Sequence, residues 1–241
     1  MIHALIFAGG VGKRMGKNRI YKQFLTAQGK PIIVHTIEHF QKCKMVDEIT
    51  VVCVKDSIDY MKLLADSYGL TKVKSVIPGG ASGQESIYHG LREITTRHNE
   101  WMGDIVLIHD GVRPLIDNVL IERNIQAVKE YGSCVTVCQA TESIVTVGEN
   151  ALVEQFVDRS KSYLGRAPQS FYLKDIVELH ERAVCEGKND FVDSAMMMKY
   201  YQKPLYTVVG PEYNIKITTM MDYYLFKAIL DAKENEQFQM D

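Results

Sequence analysis

No stretch of this chain approaches the roughly 20 consecutive apolar residues that a bilayer-spanning helix requires, so a transmembrane helix is not expected. The N-terminus has no charged region followed by an apolar core and a small-residue cleavage site, so no signal peptide is expected. Net charge is nearly absent too. The 28 Lys+Arg against 30 Asp+Glu leave −2, too weak a field to draw nucleic acid to the whole surface. Cysteine is scarce and odd in number, five in all. Cys53, Cys134 and Cys138 lie in apolar runs where a free thiol packs as a small hydrophobe. Cys134 and Cys138 have no nearby histidine cluster that would make a metal site of their spacing. The expectation is a reduced, cytoplasmic protein. There is no internal repeat and no low-complexity tract.

What the chain does have is the composition of an ordinary globular protein. Hydrophobic residues make up 46% and charged residues 24% of 241, enough for a large core within a single α/β domain. The run Ile2 to Ala8 is short, apolar and ends in glycines, as a buried parallel strand entering a loop should. Helix-like spacing over Pro31 to Gln41, a β-branched strand over Glu48 to Val54, a helix over Asp59 to Tyr68 and a strand over Val73 to Ile77 continue the alternation. A helix from Ser86 and the strand Asp104 to His109 follow. This order predicts a doubly wound, mostly parallel α/β sheet of Rossmann-like type, with ligands at the carboxyl ends of its strands. After a helix at Asn118 to Tyr131 come shorter strand-like pieces at Ser133 to Gln139, Ser143 to Val147 and Leu152 to Val157, read as a β-arm or mixed extension. Helices near Lys174 to Glu186, Asp193 to Tyr201 and Met221 to Lys233, with a strand at Leu205 to Val209, complete the pattern.

The loop Ala8-Gly9-Gly10-Val11-Gly12-Lys13-Arg14-Met15 leaves that first strand directly. Its glycines let the backbone turn sharply and present N–H groups to an anion, with Lys13, Arg14 and Lys17 beside them. Phosphate binding and a plain glycine turn both fit these residues. A dinucleotide fingerprint needs a third glycine where Met15 stands, and a P-loop needs Ser or Thr where Arg14 stands. Lys22, in Tyr21-Lys22-Gln23-Phe24, can fold back over the same phosphates.

Taken together, A-G-G-x-G-x-R-M and K-Q-F resemble the cytidylyltransferases that activate sugar-alcohol phosphates, the methylerythritol-phosphate and ribitol-phosphate enzymes. Similarity continues through Gly79-Gly80, Ser86, His109-Asp110-Gly111-Val112-Arg113-Pro114, Asp158-Arg159, Pro168-Gln169, Asp193-Ser194-Ala195 and Asn214-Ile215-Lys216-Ile217-Thr218. The resemblance implies Mg²⁺-dependent transfer of CMP from CTP to a polyol phosphate. In it Ala8, Gly9, Gly10 and Gly12 hold the nucleotide's phosphates, while Gly79, Gly80 and Ser86 contact cytosine and ribose. Arg14, Lys22 and Lys216 act on the triphosphate and the transferring phosphoryl group. Asp110 ends a buried strand and is the candidate Mg²⁺ ligand, a hard oxygen suited to that ion. Arg113 either pairs with Asp110 or orients the loop.

Arg159 and Ser143 are implied acceptor contacts on an arm at about residues 142–169 that would build a homodimer. Arg159 is a phosphate clamp or a surface ion pair, and Asp193 a reader of a substrate hydroxyl or a helix cap. The chain departs from the family's pattern at Gly83, where many relatives have arginine, at Ala167-Pro168-Gln169 for Thr-Pro-Gln, and at Glu142-Ser143 for Asp-Thr. The first departure bears on selectivity for cytosine, which backbone groups would then read; the other two alter the acceptor pocket, which Arg166 or Ser143 compensates. Ribitol 5-phosphate is the expected acceptor and 2-C-methyl-D-erythritol 4-phosphate the alternative. A dinucleotide-dependent oxidoreductase using Asp56 for ribose is a remote third reading.

Overall fold

Residues 1–9 and 21–234 are described by the computed structural model. Ile2–Ala8 forms β1, whose successive side chains enter apolar cores on both faces, as expected of a central parallel strand. A 3₁₀ turn at Lys22–Phe24 and the short strands β2 (Thr26–Ala27) and β3 (Lys30–Pro31) lead into α1 (Ile32–Lys42). Then come β4 (Glu48–Cys53), α2 (Ile58–Ser67), β5 (Val73–Pro78), α3 (Gly83–Arg97), β6 (Ile105–Asp110) and α4 (Asn118–Tyr131). The second half contains β7 (Ser133–Gln139), β8 (Ile144–Val147), β9 (Val153–Val157), β10 (Tyr163–Tyr172), α5 (Leu173–Cys185), α6 (Ser194–Tyr200), β11 (Tyr206–Val209) and α7 (Met220–Glu234).

The main sheet has seven strands in the order β11-β7-β10-β6-β1-β4-β5. All of them point the same way except β10, which runs antiparallel to both β6 and β7. One face packs on α1, α2 and α4 through Ile33, Ile37, Phe40, Met61 and Ile121. The other packs on α3, α5 and α6 through Leu91, Ile94, Ile176 and Met197. The chain winds outward from β1 to β5 and returns to β6 on β1's other side, so the switch in winding direction falls between β1 and β6. Ligand crevices open at such points, beyond the strands' carboxyl ends. Here Phe7 and Asp110 are register partners.

The doubly wound sheet expected from sequence is present. One strand, however, was not read from it: β10 occupies Tyr163–Tyr172, so residues 163–169 belong to the main sheet. The free-standing hairpin is β8 with β9. Ala167-Pro168, joined by a cis bond, breaks the hydrophobic alternation inside β10, and the pairing with β7 shifts register between Gly165 and Gln169. No helix among the described residues is long and apolar enough to cross a membrane.

Two buried histidines make the fold acid-sensitive. His180 is 1% exposed, stacks on Tyr88 at 5.9 Å, and among the described residues has no hydrogen-bond partner for either ring nitrogen. Burial lowers its pKa to about 4, and burial likewise lowers His109 to about 4. The unfolded chain therefore binds these protons first, near pH 6.5, so stability is complete above that value and falls as pH drops towards 4. His180→Leu should remove about 3 kcal/mol of that loss. Urea titrations at pH 7.5 and 4.5 would measure it, and an unchanged pH dependence would contradict the assignment.

Candidate active site

Local structure brings several of the expected groups, Gly9, Gly79, Gly80, Asp110 and Lys216 among them, to the carboxyl edge of the sheet. The 3₁₀ turn that carries Lys22 is fixed by Gln23, which is 1% exposed and donates from Nε2 to the carbonyl of Ala8 at 2.9 Å. That bond anchors the Lys-Gln-Phe turn to the end of β1. Gly10, Gly12 and Arg14 lie outside the described residues; Ala8 and Gly9 lead into them.

Gly79 and Gly80 leave β5 beside Ser86, whose hydroxyl accepts from the Gly80 N–H at 3.0 Å and donates to the Ser82 carbonyl at 2.8 Å. A side chain at Gly79 would meet Ser86 Oγ at 2.8 Å, and one at Gly9 would meet it at 3.3 Å. Both glycine loops thus converge on one serine at the start of α3. Ser82 caps that helix by accepting from the Glu85 N–H at 3.1 Å. Gly83 is its first residue, so the loop that carries the departure at position 83 is already helical.

Asp110 closes β6, 6% exposed, with a cation on each carboxylate oxygen. Arg113 Nε donates to Oδ2 at 2.7 Å and Lys216 Nζ lies 2.5 Å from Oδ1. Burial pushes the carboxyl up, but Lys216 and Arg113 outweigh it and hold Asp110 below the usual carboxylate range. The cations differ. Arg113 is 7% exposed and also donates through Nη1 to the Asn214 carbonyl at 2.9 Å, so both roles considered for it, ion pair and loop orientation, are combined. Lys216 has a side chain 39% exposed and sits over the Phe7 ring at 5.7 Å. Asn214, fully buried, donates to the Ala167 carbonyl at 2.7 Å and ties the Lys216 loop to β10.

Asp110, Arg113 and Lys216 line a cavity of about 340 Å³ with Gly83, Arg166, Gln169 and Asp193. Asp193 caps α6, accepting from the Met196 N–H at 2.8 Å, while also bordering the cavity. Gln169 accepts from the Ala195 N–H at 3.0 Å and joins β10 to the same helix. Arg166 donates to Cys138 Sγ at 3.4 Å. Sequence reasoning met Asn214, Gln169 and Gln23 only inside motifs. Their burial, which gives them their positioning roles, has no signal in one sequence. A larger cavity of about 440 Å³ between α3 and α5 has, among the described residues, no lysine or arginine in its lining to meet the charge of a triphosphate.

Ser143 and Arg159 are not part of this cavity. Both are exposed at the base of the β8–β9 hairpin, where Arg159 donates to the Thr141 carbonyl at 3.3 Å.

Removing either cation should cost unequal stability. Arg113→Met removes a buried guanidinium with its bonds to Asp110 and to the Asn214 carbonyl and takes about 3 kcal/mol or more, whereas Lys216→Met, at a half-open site, takes under about 1 kcal/mol. Equal losses in chemical denaturation would contradict this division between anchor and movable group.

The model of the 2-C-methyl-D-erythritol 4-phosphate cytidylyltransferase family matches residues 2–232. A ribitol-5-phosphate cytidylyltransferase of Streptococcus agalactiae serotype Ia is 49% identical over 233 residues, covering 97% of each chain. A 2-C-methyl-D-erythritol 4-phosphate cytidylyltransferase of Clostridium acetobutylicum is 35% identical, covering 94% of this chain and 96% of its own. Among solved structures, the 4-diphosphocytidyl-2C-methyl-D-erythritol synthase of Anaerococcus prevotii superposes with a TM-score of 0.81 at 25% identity, covering 95% of this chain and 96% of that one. Membership removes the dinucleotide-dependent alternative, and its basis in sequence and fold is the same: the chain belongs to the 2-C-methyl-D-erythritol 4-phosphate cytidylyltransferase family of nucleotidyltransferases.

Proposed function

We propose that this protein transfers CMP from CTP to D-ribitol 5-phosphate, giving CDP-ribitol and pyrophosphate. The 49% identity to a ribitol-5-phosphate enzyme across nearly the whole chain, against 35% to a methylerythritol-phosphate enzyme, carries the choice of acceptor. An oxygen of the acceptor phosphate forms a bond to the α-phosphorus of CTP while the bond from that phosphorus to the bridging oxygen breaks and pyrophosphate leaves. Such transfers are governed by alignment and by compensation of charge on the equatorial oxygens.

Lys216 is the mobile cation of this scheme. It rests on Asp110 Oδ1 and would turn to the phosphates of bound CTP, while Arg113 keeps its own contact with Asp110. Arg14 and Lys22 bear on the triphosphate from the glycine-loop side. The Gly79, Gly80 and Ser86 loop is assigned to the nucleoside. Once Lys216 has moved, Asp110 offers one hard carboxylate oxygen, which fits Mg²⁺ held by one carboxylate and substrate phosphates. Bound there, Mg²⁺ would offset the charge of the triphosphate. Arg166 lies in the same cavity and its planar fork suits the acceptor phosphate.

The working unit proposed is a cytoplasmic homodimer of one nucleotidyltransferase domain. The β8–β9 hairpin exposes Val147, Leu152, Val153 and Phe156, and Phe156 is 71% exposed. A partner subunit would cover this apolar surface and bring its own Arg159 and Ser143 towards the cavity. The second acceptor, 2-C-methyl-D-erythritol 4-phosphate, is kept because the matching family model carries that name.

Pyrophosphate release from CTP and Mg²⁺ with each acceptor separates these readings. Ribitol 5-phosphate should be used at least tenfold more efficiently, and release with neither would refute both. Lys216→Met should lower kcat by about 10²–10³. Arg166→Gln should raise KM for the acceptor about 10- to 100-fold, the worth of a charge-assisted hydrogen bond, and leave KM for CTP unchanged. A matching rise for CTP would contradict the acceptor assignment.

A further inference from the structure

At the end of the sheet remote from Asp110, a second group of side chains has the makings of a ligand set. His3 near the start of β1 and Glu48 at the start of β4 are register partners on adjacent parallel strands, and His98 is the C-cap residue of α3. One ligand atom from each of the three lies within 4.8 Å of the other two. The imidazoles of His3 and His98 stand 5.1 Å apart, centroid to centroid.

We infer that His3, Glu48 and His98 bind one divalent transition-metal ion of the zinc class. Two imidazole nitrogens and a carboxylate favour zinc, cobalt or nickel over the all-oxygen partners of magnesium and calcium. Ligand atoms around tetrahedral zinc sit about 3.3 Å apart, given bonds of about 2.0–2.1 Å. Contraction from 4.8 Å therefore needs about 1.5 Å at most, within reach of side-chain rotation on a backbone held by the β1–β4 register. Water can take the fourth position from the open side, where the Glu48 and His98 side chains are 15% and 17% exposed.

The surroundings support this reading. Asp104 Oδ2 is 2.8 Å from His3 Nε2 and fixes that ring, as outer carboxylates do for metal-binding histidines. The carboxyl end of α3 adds a partial negative charge. Glu48 Oε2 now accepts from His98 Nε2 and from Arg97 Nη2, each at 3.0 Å. A metal ion would replace the first hydrogen bond, and the Arg97 side chain, 27% exposed, can turn to solvent. A bound ion would clamp the end of α3 to β1 and β4. Four residues of strand, about 13 Å, separate His3 from Phe7, the register partner of Asp110, so the ion's effect would be on stability rather than on the chemistry.

The test uses full-length, tag-free protein stripped with chelator and free of nucleotide. Co²⁺ titration should give visible d–d bands of tetrahedral intensity that saturate at one equivalent. Competition against a chromogenic zinc chelator should give an affinity weakened at least tenfold in both Glu48→Gln and His98→Gln. His89→Gln, altering a half-buried histidine elsewhere on α3, should bind as the parent does. Absence of such bands in the parent protein, or undiminished affinity in both variants, would overturn the proposal.

Discussion

Asp110 places a carboxylate where water barely reaches, and the arrangement around it follows from the need to keep that charge compensated. A buried carboxylate without a partner would take up a proton or destabilise the fold. Arg113 answers with a guanidinium that is itself buried and held by the Asn214 carbonyl. Lys216 supplies the other half from a more open position. The pair divides labour. The arginine fixes the charge in the fold, and the lysine, more exposed, is the group proposed to leave it for a phosphate. Asn214 links this centre to β10 through the Ala167 carbonyl, so the one antiparallel strand of the main sheet also buttresses the site.

The parallel half of the sheet was legible because each of its strands is a short β-branched or apolar run, and each of its larger helices has an apolar stripe of period near 3.6. Asn118–Tyr131 and Ser133–Gln139 coincide with their expected limits. β10 was not legible. Its residues Gly165, Arg166, Ala167 and Pro168 break every periodic signal, and a proline argues against a central strand. Only the tertiary setting between β6 and β7 makes this segment a strand.

The site was legible where chemistry is tied to a strand end. Asp110, Arg113, Lys216 and Asp193 meet in one cavity, and Gly79 with Ser86 forms the adjacent loop. Their interplay was not. Arg113 and Asp193 each had two readings in sequence, and it is the hydrogen bonds to Asp110, Asn214 and Met196 that show what they hold. Ser143 and Arg159 flank the β8–β9 hairpin rather than lining the cavity, and the part proposed for them would need a second subunit to bring them to it.

A structure of the protein with CDP-ribitol bound tests the central claim most directly, because Lys216 must choose between Asp110 and phosphate. The account predicts Lys216 Nζ within hydrogen-bond distance of a phosphate oxygen and no longer on Asp110 Oδ1, with the Arg113–Asp110 pair intact. Lys216 still bound to Asp110, with the phosphates held elsewhere, would contradict it.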